Sequence, residues 1–158
     1  VNTCSGVRAA ISPAELAQIV RRFADRPDLW RSRVTFHSGE RFYVRLEQDD
    51  DHEVWLLTWL PGQQTGFHDH GESSGAFTVV SGRLTETAVA AGRPEQAGHA
   101  LTAGGGRSFG PHYLHDVRND TTEPAVSIHA YSPPLSSMRR FAVADDGTLR
   151  VTAEERSW

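Results

Sequence analysis

The chain has 158 residues, 38% of them hydrophobic and 23% charged, with a formal net charge of −4. That length suits one core, and the whole chain is expected to form a single domain. All sixteen basic residues are arginines, scattered with no basic stripe, which argues against phosphate-dominated nucleic-acid binding. No apolar run approaches the roughly 20 residues needed to cross a bilayer, and the first residues lack the basic-then-apolar pattern of a signal peptide. The one cysteine, Cys4, permits no internal disulfide and no C-x-x-C site. A cytoplasmic monomer is the expectation.

A helical lead-in is expected over about residues 12–30. Ser12-Pro13-Ala14-Glu15 forms a capping box with proline at the first helical position. Leu16, Ile19, Val20 and Phe23 follow at helical spacing, and Pro27 should stop the helix near Asp25. A short second helical piece fits around Leu29 and Trp30. A β-barrel is expected from about residue 34 to 158. From Arg41 onward, segments rich in Val, Thr and aromatic residues recur: RFYVRLE, EVWLLTWL, AFTVVSGRLTETAVA, HALTA, DVRN and AVSIHAYS. Pro61-Gly62, Ser81-Gly82 and Gly104-Gly105-Gly106 punctuate them, and Asp145-Asp146-Gly147-Thr148 reads as a closing hairpin turn. Many short strands make the fold mainly β, a sandwich or a barrel. Trp55 and Trp59 lie four apart on one strand face and read as core, and Asp49-Asp50-Asp51 reads as a solvated hairpin tip.

His68 and His70 stand one residue apart, so on a strand they share a face while Asp69 points away. Two imidazoles alone rarely hold a metal. Gly62, the His68-x-His70 pair and Gly82 resemble the first cupin motif in spacing, and Pro111-His112-Tyr113-Leu114-His115 with Asn119 resembles the second more loosely. This resemblance implies a cupin double-stranded β-helix, a jelly-roll-like barrel with a metal inside. Where the cupin motif places its glutamate ligand, this chain has Ser74 and Gly75; Glu72 comes only two residues after His70. The ligand set that remains is His68, His70 and His115, without the carboxylate of the two-histidine, one-carboxylate oxygenases. Such a site suits a substrate that brings its own anion, such as a thiolate. His37, His52, His99 and His112 read as surface histidines.

The HDH run followed by Phe77, then LHDVRN, then EPAVSIHAYSPP, together with Tyr43-Val44-Arg45, resembles the cysteine dioxygenase family over about residues 41–134. The resemblance implies mononuclear Fe(II) on His68, His70 and His115, converting L-cysteine and O2 to cysteine sulfinic acid. It implies that Arg45 pairs with the substrate carboxylate beside Tyr43, and that Ser127, His129 and Tyr131 form a relay near the iron. Those three stand at i, i+2 and i+4, so a strand presents them on one face. Animal-type members carry a cysteine that crosslinks to the active-site tyrosine; that position here is Gly75, so Tyr131 should be a free phenol. Two other readings stay open: a dioxygenase for another thiol acid such as 3-mercaptopropionate, and a non-oxygenase metal-binding cupin, an isomerase or sensor. The 3-mercaptopropionate branch typically carries glutamine where Arg45 stands, which favours cysteine.

Overall fold

The computed structural model describes residues 10–158. Cys4 lies outside them. The first element is α1 (Pro13–Ala24), which begins where the capping box places it: the Ser12 hydroxyl accepts the Glu15 amide at 3.2 Å. It closes at Asp25, whose amide donates to Arg21 at 3.0 Å. Two short 3-10 turns, Pro27–Leu29 and Arg31–Arg33, complete the lead-in. No helix of the described residues is long and apolar enough to cross a membrane.

Twelve strands follow. The first five are β1 (Tyr43–Gln48), β2 (Glu53–Trp59), the two-residue β3 (His68–Asp69), β4 (Ser74–Ser81) and β5 (Arg83–Ala90). After them come β6 (Arg93–Pro94), β7 (His99–Thr102), β8 (Gly106–Phe109) and β9 (His115–Arg118), then β10 (Ala125–Ser132), β11 (Met138–Val143) and β12 (Leu149–Glu155). One sheet runs β1-β2-β10-β4-β8; the other runs β12-β11-β3-β9-β5-β6, with β7 on β5. Every pairing is antiparallel. The hairpin expected at Asp145-Asp146-Gly147-Thr148 joins β11 to β12, with Ala144 N–H donating to Thr148 O at 2.7 Å.

Alternation along β2 and β10 divides the core in two. Val54 and Leu56 of β2, and Val126, Ile128 and Ala130 of β10, pack with Leu16, Ile19 and Val20 of α1 on the outer face of the first sheet. Leu16 is fully buried there, so its truncation to alanine would cost about 2–5 kcal/mol. Trp55 and Trp59 of β2, and Ala125 and Tyr131 of β10, turn inward and join Phe77, Val79, Leu84, Phe109 and Val117 in the interior cluster. The period of two therefore sends Ser127, His129 and Tyr131 into the barrel while their neighbours anchor the helix.

Candidate metal centre

Strand register builds the site. His68 on β3 lies directly opposite His115 on β9, and His70 follows as β3 ends. One ring nitrogen from each of the three lies within 4.8 Å of the others, and all three residues are buried. Ring centroids stand 4.8 Å apart for His68–His70, 4.7 Å for His68–His115 and 5.3 Å for His70–His115. Asp69 points away, as expected: its carboxylate is buried under the Arg139 guanidinium at 2.6 and 3.0 Å and ties β3 to β11. Glu72 is not part of the cluster; it is exposed and pairs with His112 at 3.0 Å.

The outer contacts of two imidazoles fix their protons. His68 Nδ1 lies 2.9 Å from the Gly66 carbonyl, which can only accept, so Nδ1 carries the hydrogen and Nε2 keeps its lone pair. His115 Nδ1 lies 2.9 Å from Glu86 Oε2 and donates to it in the same way. Burial and the neighbouring imidazoles push His68 and His70 well below the ordinary histidine range, so both rings are neutral. His70 Nδ1 is buried with no partner among the described residues. Neutral imidazoles with lone pairs turned to one point, two of them held by outer acceptors, are the donor set of a divalent transition metal, and they fit one here.

Glu86 braces the cluster from behind, and the sequence did not single it out. It is 1% exposed, its Oε1 accepts Arg107 Nε at 3.0 Å, and its Oε2 holds His115. Burial would raise its pKa, but the hydrogen bonds from His115 and Tyr113 and the Arg107 charge outweigh that and lower it, so it is ionised. The only signal in the sequence was an acid on the inward face of the RLTETAVA strand, legible only once β5 is known to pair with β9.

His68, His70 and Tyr131 line a cavity of about 120 Å³, together with Trp55, Leu57 and Arg41. That is below the roughly 300–1,000 Å³ of pockets for drug-sized ligands, and it suits a small metabolite. Behind it runs a hydrogen-bonded chain. Trp59 Nε1 donates to Ser127 Oγ at 2.9 Å; Ser127 then donates its single proton to His129 Nε2 at 2.7 Å. Burial drives the His129 pKa down to about 3, so the ring is neutral and its hydrogen sits on Nδ1, 3.5 Å from the Tyr131 hydroxyl. Burial raises the Tyr131 pKa, which keeps the phenol protonated. With His129 on the acceptor side of the phenol oxygen, the Tyr131 proton is left for the cavity.

Tyr43 lines the cavity and Arg45 does not. Arg45 stands opposite Trp55 in the β1–β2 register, with its guanidinium 5.5 Å from the Trp55 ring centre and 3.6 Å from the buried Glu53 carboxylate. Arg45, expected to pair with the substrate carboxylate, thus stands at the rim between a large indole and a buried acid. His52 also departs from its surface reading; it is buried at the β1–β2 turn between Asp51 and Glu47, at 2.7 and 2.9 Å.

A family model described as cysteine dioxygenase type I matches residues 7–144. The chain belongs to this family. Relatives named cysteine dioxygenase type 1 include that of Danio rerio, 27% identical over 146 residues that cover 84% of this chain and 71% of the relative. The Homo sapiens protein of the same name is 24% identical over 144 residues, 83% of this chain and 70% of its own. Among solved structures, a Klebsiella pneumoniae protein with a double-stranded β-helix domain superposes with a TM-score of 0.58 at 19% identity, over 78% of this chain and 93% of that one. A cupin superfamily protein from Desulfitobacterium hafniense gives 0.54 at 10% identity, over 66% and 87%. These likenesses identify the fold as the cupin double-stranded β-helix, mainly β with one short N-terminal helix.

Within this cysteine dioxygenase family member, Gly75 faces Tyr131 across the β4–β10 pair. A Cβ at Gly75 would stand 2.5 Å from Phe109 Cε2 and 3.0 Å from Tyr131 Cδ1. Phe109 therefore occupies the space a crosslinking cysteine would need, and it stacks on His70 at 5.3 Å.

Proposed function

We propose that the chain is a non-haem Fe(II) thiol dioxygenase that oxidises L-cysteine with O2 to cysteine sulfinic acid. Both oxygen atoms go to sulfur, so the thiol and one O2 account for every atom of the product. The observation that carries this reading is the convergence of His68, His70 and His115 beside the Tyr131 phenol, with no carboxylate ligand, in a chain of the cysteine dioxygenase family. Bound Fe(II) would supply the oxygen chemistry and hold the substrate sulfur as a thiolate, which is scarce free in solution because a free cysteine thiol has a pKa near 8.5.

The chain's own residues position and protonate. The three imidazoles leave the metal its full charge. Trp55 and Leu57 line the cavity and would exclude water from around the sulfur, with Phe109 packed on His70 behind them. Tyr131, oriented through His129 and Ser127, donates a hydrogen bond into the cavity where the reacting sulfur would sit. We take the protein to act as a monomer in the cytoplasm, a reducing compartment that suits a lone thiol.

The test is anaerobic loading with Fe(II), metal analysis, then oxygen-electrode assays with L-cysteine, 3-mercaptopropionate and cysteamine. One iron per chain and one O2 taken up per thiol are expected, with His115→Ala unable to retain iron. Full occupancy in His115→Ala would sink the ligand set. An iron-loaded protein that consumes no O2 with any thiol would sink the reaction and favour a non-oxygenase cupin.

A further inference from the structure

We propose that Arg41, not Arg45, holds the carboxylate of the thiol substrate, at the neck between the inner cavity and a polar vestibule. This rests on the thiol dioxygenase reading and deepens it. Arg41 lines the inner cavity with His68, His70 and Tyr131. It also lines an outer hollow of about 530 Å³, walled by Glu40, Gln63 and Gln64. The two hollows share its side chain, together with Tyr43, Thr65, Arg140 and Glu155, as a common wall.

Charge pairing singles Arg41 out. Each other arginine near the site already has a carboxylate: Arg107 has Glu86 at 3.0 Å, Arg139 has Asp69 at 2.6 Å and Arg140 has Glu155 at 2.5 Å. Arg45 has Glu53 at 3.6 Å, and Glu53 is itself fixed by the Leu135 amide at 2.8 Å. Arg45 could turn to a substrate only by leaving a buried carboxylate without its cation, which is strongly unfavourable. Arg41 makes no hydrogen bond or ion pair among the described residues; its guanidinium lies 4.8 Å from the Trp59 ring centre. Its charge bears on His68, His129 and Tyr131, which places it within reach of the reacting region. A mostly buried guanidinium, stacked on an indole and open toward a cavity, presents a planar fork to a carboxylate. The substrate class is a small thiol carboxylic acid held at two points, sulfur at the histidines and carboxylate at Arg41. Trp55 adds a wall whose Nε1–H is buried without a partner among the described residues.

The test uses the full chain loaded anaerobically with Fe(II) and reads thiol binding by calorimetry, with iron content measured alongside. The probes are L-cysteine and 3-mercaptopropionate against cysteamine, which lacks a carboxylate. Arg41→Gln should weaken both acids about 10–100-fold, the loss of a charge-assisted fork, and change cysteamine less than about threefold, with iron content unchanged. Arg45→Gln should leave all three within that same margin. Arg41→Lys keeps the charge but not the fork; it should weaken the acids less than Arg41→Gln does, and it carries the test if the glutamine variant does not fold. A selective loss in Arg45→Gln but not in the Arg41 variants overturns the proposal, as does an equal loss for acids and cysteamine, which would make Arg41 structural. Wild type that binds cysteamine as tightly as the acids removes the clamp but leaves the thiol reading standing. Wild type that binds no thiol at all removes both.

Discussion

Glu86→Gln tests whether a buried carboxylate outside the metal sphere sets the affinity of the centre. Glu86 accepts from two donors at once, His115 Nδ1–H at 2.9 Å and Arg107 Nε–H at 3.0 Å, through different oxygens. Glutamine keeps the shape but has one acceptor oxygen, so its amide N–H must face one of those donors. Facing Arg107 leaves a half-buried guanidinium against a donor. Facing His115 shifts the ring proton to Nε2, the atom whose lone pair a metal needs. A hydrogen bond between charged groups contributes about 1.5–3 kcal/mol, so the metal-free variant should lose about that much stability in urea. Metal affinity should fall about 10–100-fold, the usual effect of losing a partner that orients a histidine ligand. The assay is competition with a chelator of known affinity under argon, beside Glu154→Gln, an exposed acid that pairs with Arg156. Glu86→Asp, which keeps the charge, should fall between wild type and Glu86→Gln. If Glu86→Gln binds metal within twofold of wild type, roughly 0.4 kcal/mol, the Glu86–His115 contact does not tune the centre and the argument fails.

Three further outcomes are expected. Gly75→Ala should destabilise by about 1–3 kcal/mol in urea, because its Cβ would press on the Phe109 ring, and it should weaken metal retention through the Phe109–His70 stack; a neutral effect on both would show that Phe109 yields freely. Intact-mass analysis of the purified protein should show no loss of two hydrogens, since Gly75 supplies no sulfur to Tyr131; such a loss mapped to Cys4 and Tyr131 would refute this. Burial alone would lower the His52 pKa, but Asp51 and Glu47 raise it above its ordinary value. A raised pKa gives stability that is fully present below the unfolded value of about 6.5 and is lost as pH rises through the folded value. The advantage of wild type over His52→Gln in urea should therefore shrink as pH rises above about 6.5; an advantage that grows with pH has the wrong sign.

What the sequence made legible follows from which signals are local. The start of α1 was legible because a capping box and an N1 proline act within four residues. The inward face of β10 was legible because Ser127, His129 and Tyr131 obey a period of two whatever the partner strand. His115 was tied to His68 and His70 through a resemblance rather than by spacing, since the pairing that joins them spans the sequence between β3 and β9. Strand β3 itself left no propensity signal: it is two residues long and owes its place to Asp69 under Arg139. The rim position of Arg45 was hidden for a related reason. Its neighbours in sequence match the family, but Trp55 and Glu53, which turn it aside, reach it only across the hairpin. Glu86 and Arg41 were invisible because pairing, not residue type, separates a buried ionised group that works from one that is merely solvated.

The balance of charge ties the centre to its substrate. Three neutral imidazoles give a divalent ion none of the compensation that a carboxylate ligand would. The acid that stands behind them, Glu86, is shared with Arg107, so it orients His115 without cancelling the metal's charge toward the cavity. His129 is kept neutral by burial and Tyr131 stays protonated, so neither brings an anion inside. Among the described residues, Glu155 is the one acid that lines the inner cavity, and Arg140 already claims it. With a divalent ion bound, the lining would thus carry the ion's charge plus that of Arg41, and no protein anion free to answer them. In a water-poor pocket such an excess is costly until matched. A thiolate against the ion and a carboxylate against Arg41 match it at two separate points. A neutral thiol, or an aminothiol without the acid, would leave one of the two unanswered, so under the proposed function selectivity for thiol acids would follow from the pairing pattern rather than from the size of the cavity.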